Sequence, residues 1–105
     1  ERERLIEADL ARYHRKGLPK KEHANYGVLD RKERRTVDIL GGILRVADGL
    51  DVSHGHDVKV IGCWCDPHMI IIEVEAPQEH RYEIGAGLRK GKLFEKAFDR
   101  KLMIQ

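Results

Sequence analysis

The sequence has 105 residues, enough for one small domain, and its net charge is only +2, because 20 basic side chains nearly balance 18 acidic ones. Because the charges nearly cancel, the protein as a whole has no strong electrostatic field that would indicate a nucleic-acid partner. No specific nucleic acid is therefore expected. No apolar run approaches the ~20 residues of a membrane-spanning helix, so no membrane partner is expected, and the localisation predicted is cytoplasmic.

The first predicted element is an amphipathic helix over residues 4–16. Ile6, Leu10 and Tyr13 recur at the i, i+4, i+7 spacing of one helix face, and Gly17 is a natural residue to follow the helix end. The first residue is a glutamate rather than a methionine, and no start signal precedes the helix. We therefore expect a fragment that begins at or inside a helix.

Positive charge is concentrated at the end of this first helix. The segment from Arg12 to Lys21 contains five fixed positive charges and no carboxylate. Guanidinium and ammonium groups bind phosphate oxygens through charge-assisted hydrogen bonds, so the segment is a candidate anion-binding surface. A solvated surface that complements the helix dipole is the alternative, and composition does not decide between the two. The candidate binding residues are Arg12, His14, Arg15, Lys16, Lys20 and Lys21.

A second helix is predicted from Arg31 to about Asp51. A polar connection, residues 17–30, precedes it and ends in an Asp-x-x-Glu capping box. Two adjacent glycines, Gly41 and Gly42, each cost ~1 kcal/mol relative to alanine inside a helix. Their presence predicts the close approach of another helix.

The periodicity of this helix predicts which of its faces is buried. At ~100° per residue, six apolar side chains share one arc, whereas Asp38 and Arg45 are expected to face away from it. The arc contains Val37, Leu40, Ile43, Leu44, Ala47 and Leu50.

Beyond residue 57 the apolar period changes from helical to two, which predicts strands. A strand through Cys63 and Cys65 and a partner strand, residues 69–76, flank an Asp-Pro turn. In the partner strand Ile70, Ile72 and Val74 are expected to face inward. The C-x-C spacing places both thiols on one face without the spacing of a zinc finger, and reduced thiols are expected.

The remaining residues complete an α+β fold. A third helix is predicted from residue 77 to about residue 99, and a short final strand from Lys101 to Ile104. The predicted class is therefore α+β, with two helices followed by a small β-β-α-β unit. The helical part is assigned to residues 1–56 and the β-β-α-β part to residues 57–105.

Asp48 and Asp51 close the second helix, and His54 and His56 lie just beyond it. Carboxylate oxygens and imidazoles together could bind a divalent metal. The alternative is structural, with one or both carboxylates accepting hydrogen bonds from basic side chains or loop amides. No nucleophile with a nearby base can be identified, so these residues support no catalytic mechanism.

Two stretches carry a family resemblance. Arg12-Tyr13-His14-Arg15-Lys16-Gly17-Leu18-Pro19 is followed, after a polar loop, by Leu44-Arg45-Val46-Ala47-Asp48-Gly49-Leu50-Asp51-Val52-Ser53-His54. In this order the pair resembles the C-terminal region of the Ppx/GppA exopolyphosphatase and guanosine pentaphosphate phosphohydrolase family. The tail from Leu93 to Leu102 resembles the final helix and strand of that family.

The resemblance implies a C-terminal, HD-like domain that works beside actin-like N-terminal domains carrying the phosphohydrolase site. It implies that Arg12, His14, Arg15 and Lys16 contact polyphosphate or another phosphorylated ligand, and that the domain supports dimer or interdomain contacts. By the same likeness Asp48 matches the last metal-binding aspartate of HD proteins. The other HD ligands would lie upstream of Glu1, so no catalysis by this chain alone is expected. No cofactor is assigned to it, although a divalent metal such as magnesium is a candidate in the intact protein.

Two alternatives to a binding module remain open. One is a residual HD-type, metal-dependent phosphohydrolase centred on Asp48. The other is a purely structural or dimerisation module in which the β-β-α-β part forms the contact surface.

Overall fold

Three helices precede the sheet. The computed structural model describes residues 1–14 and 17–105. The predicted first helix is present but ends at Tyr13, and the predicted polar connection contains a short helix that the sequence pattern did not indicate. The helices are α1 (Arg2–Tyr13), α2 (Ala24–Gly27) and α3 (Arg31–Leu50).

The predicted capping box at the start of α3 is confirmed. Glu33 N donates to Asp30 Oδ1 at 2.8 Å, and Asp30 N donates to Glu33 Oε1 at 2.9 Å, so two otherwise unpaired amides are satisfied. Arg2 Nε also donates to Glu33 Oε2 at 2.9 Å, which joins the first turns of α1 and α3. The Arg2 guanidinium, followed by the Asp30 amide, lowers the pKa of Glu33 to about 2.

The second half of the chain contains the sheet and two more helices, which confirms the α+β class. The central strand β2 pairs antiparallel with β1 and parallel with β3. The short final strand is confirmed. The elements are β1 (Lys59–Cys65), β2 (Met69–Glu75), α4 (Arg81–Arg89), α5 (Lys92–Phe98) and β3 (Lys101–Ile104).

The prediction of one continuous third helix is wrong, because the chain turns at Lys90 and Gly91 between α4 and α5. Gly91 is buried, and a Cβ there would lie 2.9 Å from Leu102 Cδ2. The break lets α4 and α5 take separate directions while both contact α3. The final unit is therefore β-β-α-α-β.

The main core lies between one face of the sheet and the C-terminal half of α3. As predicted, Ile70 and Val74 of β2 face inward and are buried, while Ile72 is half-buried and packs against the same cluster. The buried members are Val46, Leu50, Ile70, Val74, Phe94, Leu102 and Ile104. The residues described include no helix long and apolar enough to cross a lipid bilayer.

A second, smaller core holds α1 and α2 against the first turns of α3. It consists of Tyr13, Tyr26, Leu29 and Val37. Tyr26 OH donates to Asp38 Oδ1 at 2.8 Å, and burial raises the pKa of Tyr26 far above its ordinary value. The prediction that Asp38 faces away from the packed surface is therefore wrong, because its carboxylate anchors α2.

The buried face of α3 differs from the predicted apolar arc. Leu40, Ile43 and Leu44 are 41–43% exposed, whereas Val37 and Leu50 are buried as expected. The remaining buried positions are Gly41, Gly42, Val46 and Gly49. The helix is rotated so that its glycines, rather than its largest apolar side chains, face α4 and α5.

Close backbone contact explains this rotation, and it confirms for Gly42 the close helix approach that was predicted for the glycine pair. A Cβ at Gly42 would lie 2.8 Å from Phe94 Cα, and a Cβ at Gly49 would lie 2.5 Å from Ala86 O. Only glycine permits backbones to approach so closely.

The two adjacent glycines provide a matched stability test. Gly42→Ala should destabilise the protein by about 1–3 kcal/mol, since its Cβ would collide with backbone atoms of α5. Gly41→Ala should have a much smaller effect: its Cβ would meet only the ends of side chains, Leu93 Cδ2 at 3.3 Å and Leu10 Cδ2 at 3.9 Å, and alanine gains ~1 kcal/mol of helix propensity. Urea denaturation of both variants would test this; equal midpoints would contradict the packing described.

Candidate functional site

The basic segment predicted to bind anions rests on the smaller core. Tyr13, at the end of α1, is fully buried; its ring stacks on His23 with centroids 5.6 Å apart and meets Tyr26 edge-on at 6.0 Å. Tyr13 OH is also hydrogen-bonded to His23 Nδ1. The ends of the segment are therefore fixed by buried aromatic packing.

Arg45 of α3 fixes the same segment from the other side. Its Nη1 donates to Tyr13 O at 3.0 Å and to Gly17 O at 3.2 Å. Arginine side chains commonly satisfy the last carbonyls of a helix in this way. The prediction that Arg45 faces away is therefore wrong, since its guanidinium binds the carbonyls of both Tyr13 and Gly17. Arg15 and Lys16, both predicted binding residues, lie outside the described residues.

Lys20 and Lys21 are exposed and line an open depression between the α1–α2 connection and α5. Lys96 of α5 lines the same depression and adds a third ammonium group. The depression is lined by Pro19, Lys20, Lys21, Glu22, Tyr26 and Lys96. Sequence reasoning missed Lys96, because no local pattern relates one exposed lysine of a later helix to the basic segment.

Arg12 and His14 occupy different surroundings. Arg12 is exposed, with its guanidinium carbon 5.2 Å from the Tyr13 ring centroid. His14 Nδ1 lies 2.9 Å from Ala11 O and 3.2 Å from Leu10 O, so it must carry the hydrogen that these carbonyls accept. Only its Nε2 can then contact a ligand, and that nitrogen donates to a phosphate oxygen only when the ring is protonated.

His14 lines a second depression rather than the one shared by the lysines. Asp48, Asp51 and His56 lie along this second depression, and its apolar wall includes Val60 of β1. The structure therefore divides the predicted binding residues: Lys20 and Lys21 lie together, whereas His14 lies with the carboxylates.

Asp48 and Asp51 both have partners within the protein. Asp48 forms an ion pair with Lys90, at the end of α4. Asp51 accepts a hydrogen bond from His56 N at 2.9 Å and lies 2.9 Å from His56 Nδ1. These contacts match the structural alternative for the two carboxylates. Within residues 1–14 and 17–105 no group of three or more histidine, cysteine or carboxylate side chains is arranged to hold a metal. Metal binding by Asp48 stays a prediction.

Asp9 is a buried carboxylate that sequence reasoning missed. It is 1% exposed, and its Oδ2 has no hydrogen-bond partner in the part of the chain described. Burial raises the pKa of Asp9, while the charges of Arg12 and His23 act in the opposite direction. A signal was available, since Asp9 occupies the i+3 position of the buried helix face that begins at Ile6.

Comparison with known proteins does not identify a family: no protein-family model matches this sequence, and no curated protein matches it either.

Replacing Asp9 by asparagine should change how stability depends on pH. Because the folded state raises the pKa of Asp9 above its ordinary value of 3.8, the folded protein holds this proton more tightly than the unfolded chain. The free energy of unfolding therefore falls as pH rises from about 3.8 through the raised pKa, by about 1.4 kcal/mol for each pKa unit. Asp9→Asn should remove that fall and be at least as stable as the wild type at pH 7.

Urea denaturation from pH 3 to pH 7 would measure the difference between the two proteins. Glu33→Gln provides a control of opposite sign, since the pKa of Glu33 is lowered to about 2 and its contribution is lost as pH falls from 4.5 towards that value. If wild type and Asp9→Asn differ by a constant amount across this range, Asp9 is not buried as described.

Proposed function

We propose that this chain is the C-terminal, HD-like part of a Ppx/GppA-type protein, and that it binds polyphosphate or a similar polyanionic phosphate. The proposed contact area, called here the basic surface, contains Arg12, Arg15, Lys16, Lys20, Lys21 and Lys96. The observation that carries the proposal is the convergence of Lys20, Lys21 and Lys96, from two separate elements, on one depression.

The charges around this depression favour an anionic ligand. None of these three ammonium groups forms an ion pair within the described part of the chain, although Glu22 lies at the same edge. Three like charges that share one open depression attract a polyanion. Exposed charges interact weakly one at a time, so affinity would come from several contacts made together.

An extended ligand fits this arrangement better than a single phosphate group. Lysine supplies a flexible point charge rather than the rigid fork of arginine, so it sets few demands on ligand geometry. Arg12, at the end of α1, is a further exposed cation of the basic segment that contains Lys20 and Lys21. A chain of phosphates could contact Arg12 and the lysines at once, which favours polyphosphate over a small phosphate ester.

Catalysis by this chain alone is not part of the proposal. Asp48 is engaged by Lys90, which favours a structural role joining α3 to α4 over a role as metal ligand. Hydrolysis would belong to actin-like N-terminal domains of the same protein, with a divalent metal such as magnesium.

Exposed apolar side chains support the contacts proposed with those domains or with a second copy. Leu40, Ile43 and Leu44 form a patch at helical spacing on the outer side of α3, and Trp64 of β1 is 53% exposed. Contiguous exposed apolar side chains commonly mark protein contact surfaces.

A polyphosphate filter-binding assay would test the basic surface. The triple variant Lys20→Ala/Lys21→Ala/Lys96→Ala should bind about tenfold more weakly, since each exposed charge pair contributes about 0.2–1 kcal/mol. A matched control, Lys32→Ala/Lys59→Ala/Lys92→Ala, removes the same charge from exposed lysines elsewhere and should bind nearly as well as the wild type.

Binding should also weaken as salt is raised, because the interaction is mostly electrostatic. The variant Arg12→Ala/Arg15→Ala/Lys16→Ala tests the rest of the basic surface in the same assay. Equal retention by the wild type and both basic-surface variants at moderate salt would refute the proposal. Equal losses in the lysine variant and its control would show that only net charge matters.

A further inference from the structure

Cys63 and Cys65 lie on one face of β1, at the exposed edge of the sheet. Cys63 is paired with Ile72 and Cys65 with Ile70, so both thiols project from the same side of the sheet. Both cysteines are exposed and neither is in a disulfide. On this side of the sheet, the residues of β2 pack into the main core, whereas the two cysteines of β1 remain exposed.

A bulge in β1 determines this orientation. The pairing register shifts between Val60 and Gly62, so Val60 and Cys63 are both opposite inward-facing residues of β2. An unbroken alternation would have placed them on opposite faces. Trp64, between the two cysteines, is paired with Ile71 and therefore projects from the outer face, away from the thiols.

We propose that Cys63 and Cys65 form a two-thiolate site for a soft, monovalent metal ion of the Cu(I) type. Cα atoms two residues apart in a strand are separated by roughly 6.6–6.8 Å. A linear site with metal–sulfur bonds near those known for zinc needs sulfurs roughly 4.5 Å apart. Rotation about each χ1 moves the sulfur along the strand, so the two thiols can converge on one ion without moving the backbone.

The same geometry disfavours a disulfide. A disulfide needs its Cβ atoms about 3.5–4.5 Å apart, whereas same-face Cβ atoms in a strand are separated by about the Cα spacing. While β1 remains paired with β2, the two thiols can share a metal ion but cannot bond to each other. Disulfide formation between the two thiols therefore does not compete with metal binding within one chain.

The number of available ligands selects the metal. Thiolates are soft ligands and favour Cu(I), whereas zinc is almost always held by four ligands in structural sites. Among the residues that the structure describes, no third histidine, cysteine or carboxylate joins the pair in a metal-binding group. A two-coordinate ion is satisfied by this pair, and a tetrahedral ion is not.

Binding exchanges protons for metal. Two thiols and one Cu(I) give a two-coordinate dithiolate complex with a net charge of −1 and release two protons, with no change in oxidation state. Affinity therefore falls as pH is lowered, since protons compete for both sulfurs. Ile70 and Ile72, opposite the two cysteines, give the complex an apolar flank.

Anaerobic titration of the reduced protein with Cu(I), against a chromophoric Cu(I) chelator, would test the site. We expect one ion per chain, sulfur-only two-coordination by X-ray absorption, and little competition from Zn(II). Cys63→Ser and Cys65→Ser should each weaken binding by more than about 100-fold, since losing a direct ligand should cost more than losing a supporting residue. Met103→Leu, which removes an exposed thioether on the other face, should leave affinity unchanged.

Two measurements separate loss of the site from loss of the fold. Because both cysteines are exposed, the serine variants should keep the urea midpoint of the wild type. Alkylation of the thiols in the folded wild type should abolish binding without any substitution. Unchanged affinity in the double serine variant, or one ion held by four sulfurs from two chains, would overturn the proposal.

Discussion

The direct packing of the glycine face of α3 on the backbones of α4 and α5 is the constraint on which the rest of this structure depends. Gly42 meets Phe94 backbone atoms and Gly49 meets Ala86 O at distances that leave no space for a side chain. Helices that approach so closely have one rotation in which they fit. That rotation exposes Leu44 and directs Arg45 towards the end of α1, where it binds the carbonyls of Tyr13 and Gly17.

The proposed basic surface depends in part on the same packing. Lys96 belongs to α5, whose position is set by the contact between Phe94 and Gly42. Lys20 and Lys21 belong to a connection held by Tyr13, Tyr26 and the α3 helix. The charges meet because two independent packing contacts place their elements side by side, and neither contact involves the charges themselves. The charges of these three lysines can therefore be removed without disturbing the packing.

Local signals in the sequence predicted those features whose cause is local. The capping box at Asp30, the two-residue alternation of β2 and the common face of Cys63 and Cys65 each depend on neighbouring residues, and each is present. The break at Gly91 and the exposure of Leu40 depend instead on packing between elements that are far apart in the sequence. Hydrophobic periodicity cannot show this, since it ranks a leucine above a glycine as a core residue even where only a glycine fits.

Asp48 and Asp9 also differ in a way that the local sequence does not predict, namely in the energetic cost of placing their carboxylates. The sequence singles out Asp48 because it lies near the end of an apolar helix. Its side chain is nevertheless 47% exposed and paired with Lys90, so placing a charge there costs little free energy. Asp9 was not identified from the sequence, yet it is buried, and one of its oxygens has no partner among the residues described, a situation that proteins rarely tolerate without a reason. Asp9 lies one helical turn before Tyr13, and the positive charges of Arg12 and His23 act on it. In its ionised form Asp9 offsets part of the positive charge at the end of α1, which gives its burial a structural reason.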